Sequence, residues 1–170
     1  MMKRRTTIEL QKEYLSFSAG HFTLFSPTDR EPLHGHNFSV AVSFDTWVGE
    51  IGLAFDYRIY KRIVLEICER LHHHMLIPTE SPYLEVTADE SYYYVHFNQE
   101  KIPFLKSDVI LVPLRNISVE ELSYWIIQQL IQDQDRLQRH EIDKIVVKVF
   151  SAPGQSGSTT WEQGKPHQHY

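Results

Sequence analysis

The chain has 170 residues, which suits one domain with an ample hydrophobic core, so we expect a single domain over residues 1–170. Its 42% hydrophobic and 23% charged residues are typical of a globular protein, and a net charge of −5 without a basic cluster argues against a nucleic-acid partner. No apolar run reaches membrane-spanning length, no signal peptide is visible, and the lone cysteine, Cys68, excludes an intrachain disulfide, so we expect a cytoplasmic protein without a membrane partner.

The first part of the chain predicts strands followed by a helix. Residues 7–25 fit a long strand or a bent strand pair, and apolar residues alternate with small ones from Phe38 to Phe44, as in a half-buried strand. Apolar residues then recur every four positions over 57–71, which predicts an amphipathic helix. Its expected apolar stripe is Ile59, Ile63, Ile67 and Leu71.

The second part predicts an insert, a helix and further strands. Residues 78–114 are rich in Pro, Tyr and Val, and we expect an irregular hairpin insert that ends in a strand. A helix is predicted from Ser118 to about Leu137, because Ser118 and Glu121 have the spacing of a capping box. Further strands are predicted at 142–150 and 158–162. This order of elements favours an α+β fold, with a four-stranded antiparallel sheet and two helices on one face.

Three histidines form the most informative pattern in the sequence. His34 and His36 lie two apart on a predicted strand, and side chains alternate along a strand, so both imidazoles lie on one face. His21, upstream, would supply a third nitrogen from a neighbouring strand. Three protein ligands with one open position are typical of catalytic zinc. The alternative is that the histidines have this spacing by chance.

Two segments carry a resemblance to a known family. The run Phe17-Ser18-Ala19-Gly20-His21, followed by His34-Gly35-His36-Asn37-Phe38-Ser39-Val40, resembles the 6-pyruvoyl-tetrahydropterin and 6-carboxy-tetrahydropterin synthase family. The resemblance implies that His21, His34 and His36 bind zinc. It also implies a tunnelling (T-fold) subunit that assembles into a homotrimer or homohexamer, with active sites between subunits. The substrate would be a small pterin-like molecule.

Three weaker matches follow in the same order. Phe55-Asp56-Tyr57 resembles the family's aspartate-aromatic pair that opens the first helix. The segment 71–76 resembles its L-D-H-x-x-L motif, which implies that His73 is a catalytic proton-transfer residue. The segment 116–120 resembles its N-P-T-x-E motif, which implies that Ser118 binds substrate in place of threonine, although Ser118 can also be a plain N-cap.

The sequence departs from the family at its usual catalytic base. The family's cysteine lies four residues before the HGH motif, where this chain has Arg30. A branch of the family that cleaves dihydroneopterin carries glutamate three residues before the motif, where this chain has Glu31. A carboxylate beside a zinc-bound hydroxyl is a suitable general base, so the resemblance implies this role for Glu31. The alternative is a solvated loop glutamate.

Two further departures concern residues that orient the reaction. His72 stands where the family has an aspartate that orients the catalytic histidine. Val149 stands where we expect a glutamate that anchors the pterin ring. His72–His74 can also be the end of a helix, where histidines meet the helix dipole favourably. His167 and His169 fit a mobile polar tail.

Two functions follow from these matches and departures. The first is a zinc-dependent lyase acting on a reduced pterin, either dihydroneopterin or its triphosphate. The second is a zinc-binding member of the family that takes another ligand or has lost the pterin-lyase activity.

Overall fold

The computed structural model describes residues 3–165, so His167 and His169 lie outside the described part of the chain. The described strands are β1 (Arg4–Leu10), β2 (Ser16–His21), β3 (His34–Val48), β4 (His74–Pro78), β5 (Glu85–Ala88), β6 (Tyr92–Phe97), β7 (Glu100–Leu105), β8 (Val109–Val112), β9 (Lys144–Ala152) and β10 (Gln155–Glu162). The described α-helices are α1 (Arg58–Leu71), α2 (Val119–Leu130) and α3 (Gln134–Arg139).

The long strand β3 is the centre of the main sheet. On one side its first half pairs with β2 and its second half with β1, and on the other side it pairs with β9. Its residues alternate between buried and half-buried from Phe38 onward, as the sequence predicts, because one face of the sheet packs under the helices. The bent strand pair predicted over 7–25 corresponds to β1 and β2.

The main sheet is larger than the predicted four-stranded antiparallel sheet. Its order is β10-β9-β3-β2-β4-β8, with β1 as the seventh strand. The antiparallel core of the prediction is present, but β4 pairs parallel to both β2 and β8. The helix α1 lies between β3 and β4 in sequence, and such helical connections allow a strand to join its neighbour in parallel. The predicted α+β class is confirmed.

One main core lies between this sheet and the helices. The helix α1 packs against β2, and α2 packs against β9 and β10. The buried residues of α1 are Tyr60, Val64, Ile67, Cys68 and Leu71. Ile67 and Leu71 therefore belong to the buried stripe as predicted, but Ile59 is 38% exposed because the stripe is rotated toward Tyr60 and Val64.

The predicted long second helix is wrong at its end. The helix α2 stops at Leu130, and α3 starts separately after Asp133, whose side chain accepts a hydrogen bond from the Arg136 amide. Asp133 therefore caps a new helix, because its side chain satisfies a backbone N–H that a helix start leaves free. At the start of α2, Ser118 is the N-cap, as the spacing predicts.

The insert is a three-stranded antiparallel sheet, β5-β6-β7, rather than a simple hairpin. One face of it packs on a second, smaller core, whose buried residues are Phe22, Leu24, Ile77, Val95, Phe97 and Val109. Phe22 and Leu24 come from the segment that follows β2, so the insert covers the chain between the first histidine and the second. Among residues 3–165, no helix is long and apolar enough to cross a membrane.

Candidate active site

Pairing between β2 and β3 brings the three histidines together. His21, at the end of β2, lies opposite His34, at the start of β3, and Ala19 lies opposite His36. The ring centroid of His21 is 4.5 Å from that of His34 and 5.2 Å from that of His36. The predicted grouping of three imidazoles on one sheet face is therefore present in the structure.

The backbone selects which ring nitrogens face the centre of the cluster. His21 Nδ1 lies 2.9 Å from the Ile117 carbonyl, and His34 Nδ1 lies 2.8 Å from the Pro32 carbonyl. A carbonyl only accepts, so each Nδ1 carries the proton and each Nε2 keeps its lone pair. One ligand atom from each of the three histidines lies within 4.8 Å of the others.

The cluster fits a tetrahedral zinc ion. His34 Nε2 and His36 Nε2 are 3.1 Å apart. Two nitrogens bound to zinc at about 2.0–2.1 Å in tetrahedral geometry would be about 3.3 Å apart. His21 Nε2 is buried and has no hydrogen-bond partner, although a buried polar atom is costly to leave unpaired. A cation at the centre would satisfy this atom.

The electrostatics of His21 suit a metal ligand. Burial lowers the pKa of His21, and the hydrogen bond to Ile117, which raises the pKa, only partly offsets that effect. Positive charge on His34 or His36 would lower the pKa further. His21 is therefore neutral at physiological pH, which is the form that binds a metal.

Glu31 lies at the edge of the cluster. Its Oε2 is 3.9 Å from His34 Nε2 and accepts a hydrogen bond of 3.0 Å from the Thr23 amide. Partial burial raises the pKa of Glu31, but hydrogen bonds from Thr23 outweigh this, so the pKa lies below its usual value, and positive charge on His34 would lower it further. The side chain is thus an ionised acceptor beside the histidines.

The segment before α2 supports the cluster, and sequence reasoning did not assign it that role. The Ile117 carbonyl orients His21, while the side chain of Asn116 bonds to both backbone groups of Leu24. Ser118 lies next to these residues, but its hydroxyl accepts from the Glu121 amide at 3.3 Å. Glu121 does not complete the capping box, because its carboxylate accepts from the Arg115 amide instead. The family's asparagine at the start of this motif was the available signal for Asn116.

The structure does not place His73 with the three histidines of its own chain. His73 lines a shallow groove that also includes Ala19, His36 and three residues of the other sheet face. Those three, Ser18, Gly20 and Asn37, alternate along β2 and β3 with the clustered histidines. They therefore face the opposite side of the sheet. The His73 amide donates to the Ser18 carbonyl at 2.7 Å, and its ring stacks on His72 at 3.6 Å between centroids. His72 Nδ1 accepts a hydrogen bond of 2.9 Å from the Ser18 amide, so His72 anchors the backbone of β2. It has no carboxylate with which to orient His73 as the family's aspartate would.

Val149 has no surface to offer a ligand. It pairs with Val40 and is 0% exposed within the main core. Its side chain therefore cannot contact a ligand, so at this expected position the chain offers no anchor for a pterin ring. Ser151, two residues along the same strand face, is half-buried and lies nearer the end of β9.

Comparison with known proteins identifies the family. The sequence profile of the 6-pyruvoyl tetrahydropterin synthase family matches residues 9–160. A Methanocaldococcus jannaschii protein named "Putative 6-carboxy-5,6,7,8-tetrahydropterin synthase" is 31% identical over 145 residues, which cover 83% of this chain and 86% of that protein. A Pyrococcus abyssi protein with the same name is 22% identical over 154 residues, 89% of this chain and 90% of that protein. The chain belongs to the 6-pyruvoyl tetrahydropterin synthase family.

Solved structures agree with this family and with the fold. The 6-pyruvoyl tetrahydropterin synthase of Plasmodium vivax superposes with a TM-score of 0.89 at 26% identity, over 94% of this chain and 99% of that one. The Plasmodium falciparum enzyme gives a TM-score of 0.88 at 27% identity, over 93% and 98%. Two other structures of the P. vivax enzyme carry substitutions of a glutamate described as a catalytic residue. The expected T-fold is thereby confirmed.

Proposed function

We propose that this protein is a zinc-dependent lyase that acts on a reduced pterin, either dihydroneopterin or its triphosphate. The observation that carries the proposal is the convergence of three histidines, with two Nε2 atoms 3.1 Å apart and the third buried without a hydrogen-bond partner. Three nitrogen ligands leave a fourth position for substrate, as in catalytic zinc sites. Membership of the family supplies the class of substrate.

His21, His34 and His36 would hold the zinc ion. Zinc in this position would supply Lewis acidity, which lowers the pKa of hydroxyl groups on the substrate side chain. The backbone carbonyls of Ile117 and Pro32 keep His21 and His34 in the tautomer that a metal requires.

Glu31 would act as the general base. Its carboxylate is ionised, lies 3.9 Å from a proposed zinc ligand and is held by the Thr23 amide, so it can accept a proton from a substrate hydroxyl. The P. vivax relative, which also has a catalytic glutamate, supports this role. Ser118 would also contact the substrate, but only through atoms that its N-cap hydrogen bond does not use.

His73 would serve the active site of a neighbouring subunit. It does not belong to the histidine cluster of its own chain, and it lines the groove that also contains Ser18 and Asn37. In a homotrimer or homohexamer, a neighbour's sheet would bring a second site to this groove. The terminal strands β8 and β10 of the main sheet have edges that such assembly would cover. Light scattering tests this part, because a monomer in solution would contradict it.

The second candidate is a zinc-binding relative with another ligand or without lyase activity. Two observations favour it. The position expected to anchor the pterin ring is the buried Val149, and the Arg30 side chain extends to Glu100 rather than to the histidines.

The lone Cys68 is buried and fits the reducing cytoplasm that we propose as the location.

Metal analysis and product identification together distinguish these candidates. Purified protein should contain about one zinc per chain, and His34→Ala with His36→Ala should remove it. The zinc-loaded protein should convert dihydroneopterin or its triphosphate, with the product identified by mass. Metal retained by the double variant would overturn the histidine site. Stoichiometric zinc without turnover of either pterin would favour the second candidate.

A further inference from the structure

Arg30 precedes Glu31 in sequence, yet its side chain extends away from the histidines. Its guanidinium lies over the rings of Phe22 and Phe97, at 5.4 Å and 5.7 Å from their centroids. Its Nη2 donates to Glu100 at 2.7 Å. Phe97 is on β6 and Glu100 is on β7, so Arg30 joins the loop between β2 and β3 to the insert sheet.

The same side chain also holds the backbone of its neighbour. Arg30 Nη1 donates to the Glu31 carbonyl at 2.9 Å. The Glu31 amide donates to the Thr23 carbonyl at 2.9 Å, and the Thr23 amide donates to the Glu31 carboxylate at 3.0 Å. Leu24 and Arg30 form a β-bridge. These hydrogen bonds hold both the backbone and the carboxylate of Glu31 within one small hairpin, and Arg30 closes that hairpin.

Burial makes these contacts of Arg30 more consequential than those of a surface arginine. The Arg30 side chain is 18% exposed, whereas Glu100 is 56% exposed. Its Nε is buried without a partner, so the guanidinium depends on its two remaining donor groups and on the two rings. Aromatic faces attract a guanidinium more strongly where water is excluded. Breaking one partner of such a group costs more than breaking an exposed ion pair.

We propose that Arg30 is a positioning residue for Glu31, and that it makes the insert sheet part of the catalytic apparatus. The proposal rests on the function proposed above for Glu31. Arg30 contributes no base of its own, although it occupies the position at which relatives of the family carry a cysteine. By anchoring the hairpin to Phe97 and Glu100, it fixes the position and orientation of the Glu31 carboxylate relative to His34.

The test compares three variants with wild type in the zinc-loaded protein. Arg30→Met keeps the length of the side chain but removes its donors, and Glu100→Gln removes only the charge at the far end. Since a displacement of about 1 Å can cost about a hundredfold in rate, Arg30→Met should lower kcat about tenfold to a hundredfold, with KM and zinc content nearly unchanged. Glu100→Gln should lower kcat less. Arg136→Met is the matched control, because Arg136 pairs with Asp133 within one helical turn and should leave kcat unchanged.

A double-mutant cycle separates positioning from a direct role. If Arg30 acts through Glu31, Arg30→Met should lower kcat much less in a Glu31→Gln background than in wild type. Arg30→Lys, which can reach Glu100 but cannot also donate to the Glu31 carbonyl, should restore part of the lost rate. An equal loss in both backgrounds would overturn the proposal, and so would full activity of Arg30→Met.

Amide hydrogen exchange gives a readout that does not depend on turnover. Arg30→Met should increase the exchange of the Thr23 and Glu31 amides at least tenfold, while amides of β3 beyond Phe38 keep wild-type rates. Unchanged protection of these two amides would overturn the positioning role even if the protein is active. Absence of wild-type turnover on both pterins would overturn the proposed function, and the exchange result alone would then decide whether Arg30 holds Glu31.

Discussion

The side-chain amide of Asn116 pairs with Leu24 as a backbone segment would, accepting from the Leu24 amide at 3.1 Å and donating to its carbonyl at 2.8 Å. This pairing joins the segment before α2 to the segment after His21. The next residue, Ile117, then offers its carbonyl to His21 Nδ1. Asn116 is therefore an outer support of the proposed metal site.

Replacing Asn116 by alanine should weaken zinc binding. Loss of both contacts to Leu24 frees the carbonyl that orients His21, and such outer partners of metal-bound histidines typically contribute about 10–100-fold in affinity. Competition with a chromophoric chelator measures the effect. Gln134→Ala is the matched control, because Gln134 bonds the Ile131 carbonyl near α3, and it should bind zinc as wild type does. Equal affinities for the two variants would contradict the supporting role of Asn116.

Replacing Glu31 by glutamine should abolish most turnover without removing zinc. Glutamine can still accept from the Thr23 amide but cannot take up a proton, so we expect a loss of about 10²–10⁴ in kcat, the usual contribution of a general base. Cys68→Ala should leave turnover nearly unchanged. Cys68 is buried in α1, and burial raises the pKa of its thiol to about 12, so it supplies no nucleophile or base at neutral pH. Normal turnover by Glu31→Gln would assign the base elsewhere.

Gly157→Ala should destabilise the fold. A Cβ at this position of β10 would lie 2.7 Å from the Glu120 amide nitrogen and 2.7 Å from the Val119 carbonyl carbon, both in the backbone of α2. Because neither atom can move without shifting the helix, we expect a loss of about 1–3 kcal/mol in the free energy of unfolding. Urea unfolding at a fixed protein concentration measures it. Gly49→Ala, whose Cβ would meet the Leu53 carbonyl at 3.4 Å, is the control and should change stability by less than about 0.5 kcal/mol.

His140 should make the protein less stable in mild acid. Burial lowers its pKa from the ordinary 6.5, and the nearby Arg139 and Arg136 lower it further. Its Nδ1 lies 2.9 Å from the Tyr60 hydroxyl and its ring stacks on Phe55, so these contacts hold the ring in its half-buried position.

The sign of the effect follows from proton binding. Below pH 6.5 the unfolded chain binds a proton at His140 more readily than the folded chain, so the free energy of unfolding falls as pH falls from 6.5 toward the lower folded pKa. Urea unfolding between pH 8 and pH 5 should show this loss in wild type and a smaller loss in His140→Asn. Parallel curves for the two proteins would contradict the assignment.

Local patterns in the sequence were sufficient for most of the fold and for the cluster of three histidines. Alternation along β3 and the His34-Gly35-His36 spacing specify which side chains share a face, because strand geometry has a fixed period. The same reasoning could not predict that β4 joins the sheet in parallel, or that Asp133 starts a separate helix. These features depend on tertiary packing and on one capping contact. The spacing of apolar residues along the sequence gives no signal for either.

The remaining site residues depend on contacts between distant parts of the chain. Ile117 orients His21 through its backbone, so its side chain gives no signal. In the sequence, Arg30 was notable only because it stands where the family has a cysteine. Its partners Phe97 and Glu100 lie in the insert, so no local pattern indicated its contacts. The burial of Val149 could not be predicted either, because a single sequence does not reveal which strand face is covered by helices.

The separation of His21 from its orienting carbonyl has a consequence for how the site forms during folding. The three histidines come from one hairpin of neighbouring strands, whereas the Ile117 carbonyl is 96 residues away from His21. Hairpins close in microseconds, while contacts of large sequence separation form later. Imidazoles can thus gather before the carbonyl arrives, and a metal captured early would be held loosely until α2 docks. The rate at which refolding chains release zinc should then fall when this last segment docks, so the release rate would measure when that segment folds.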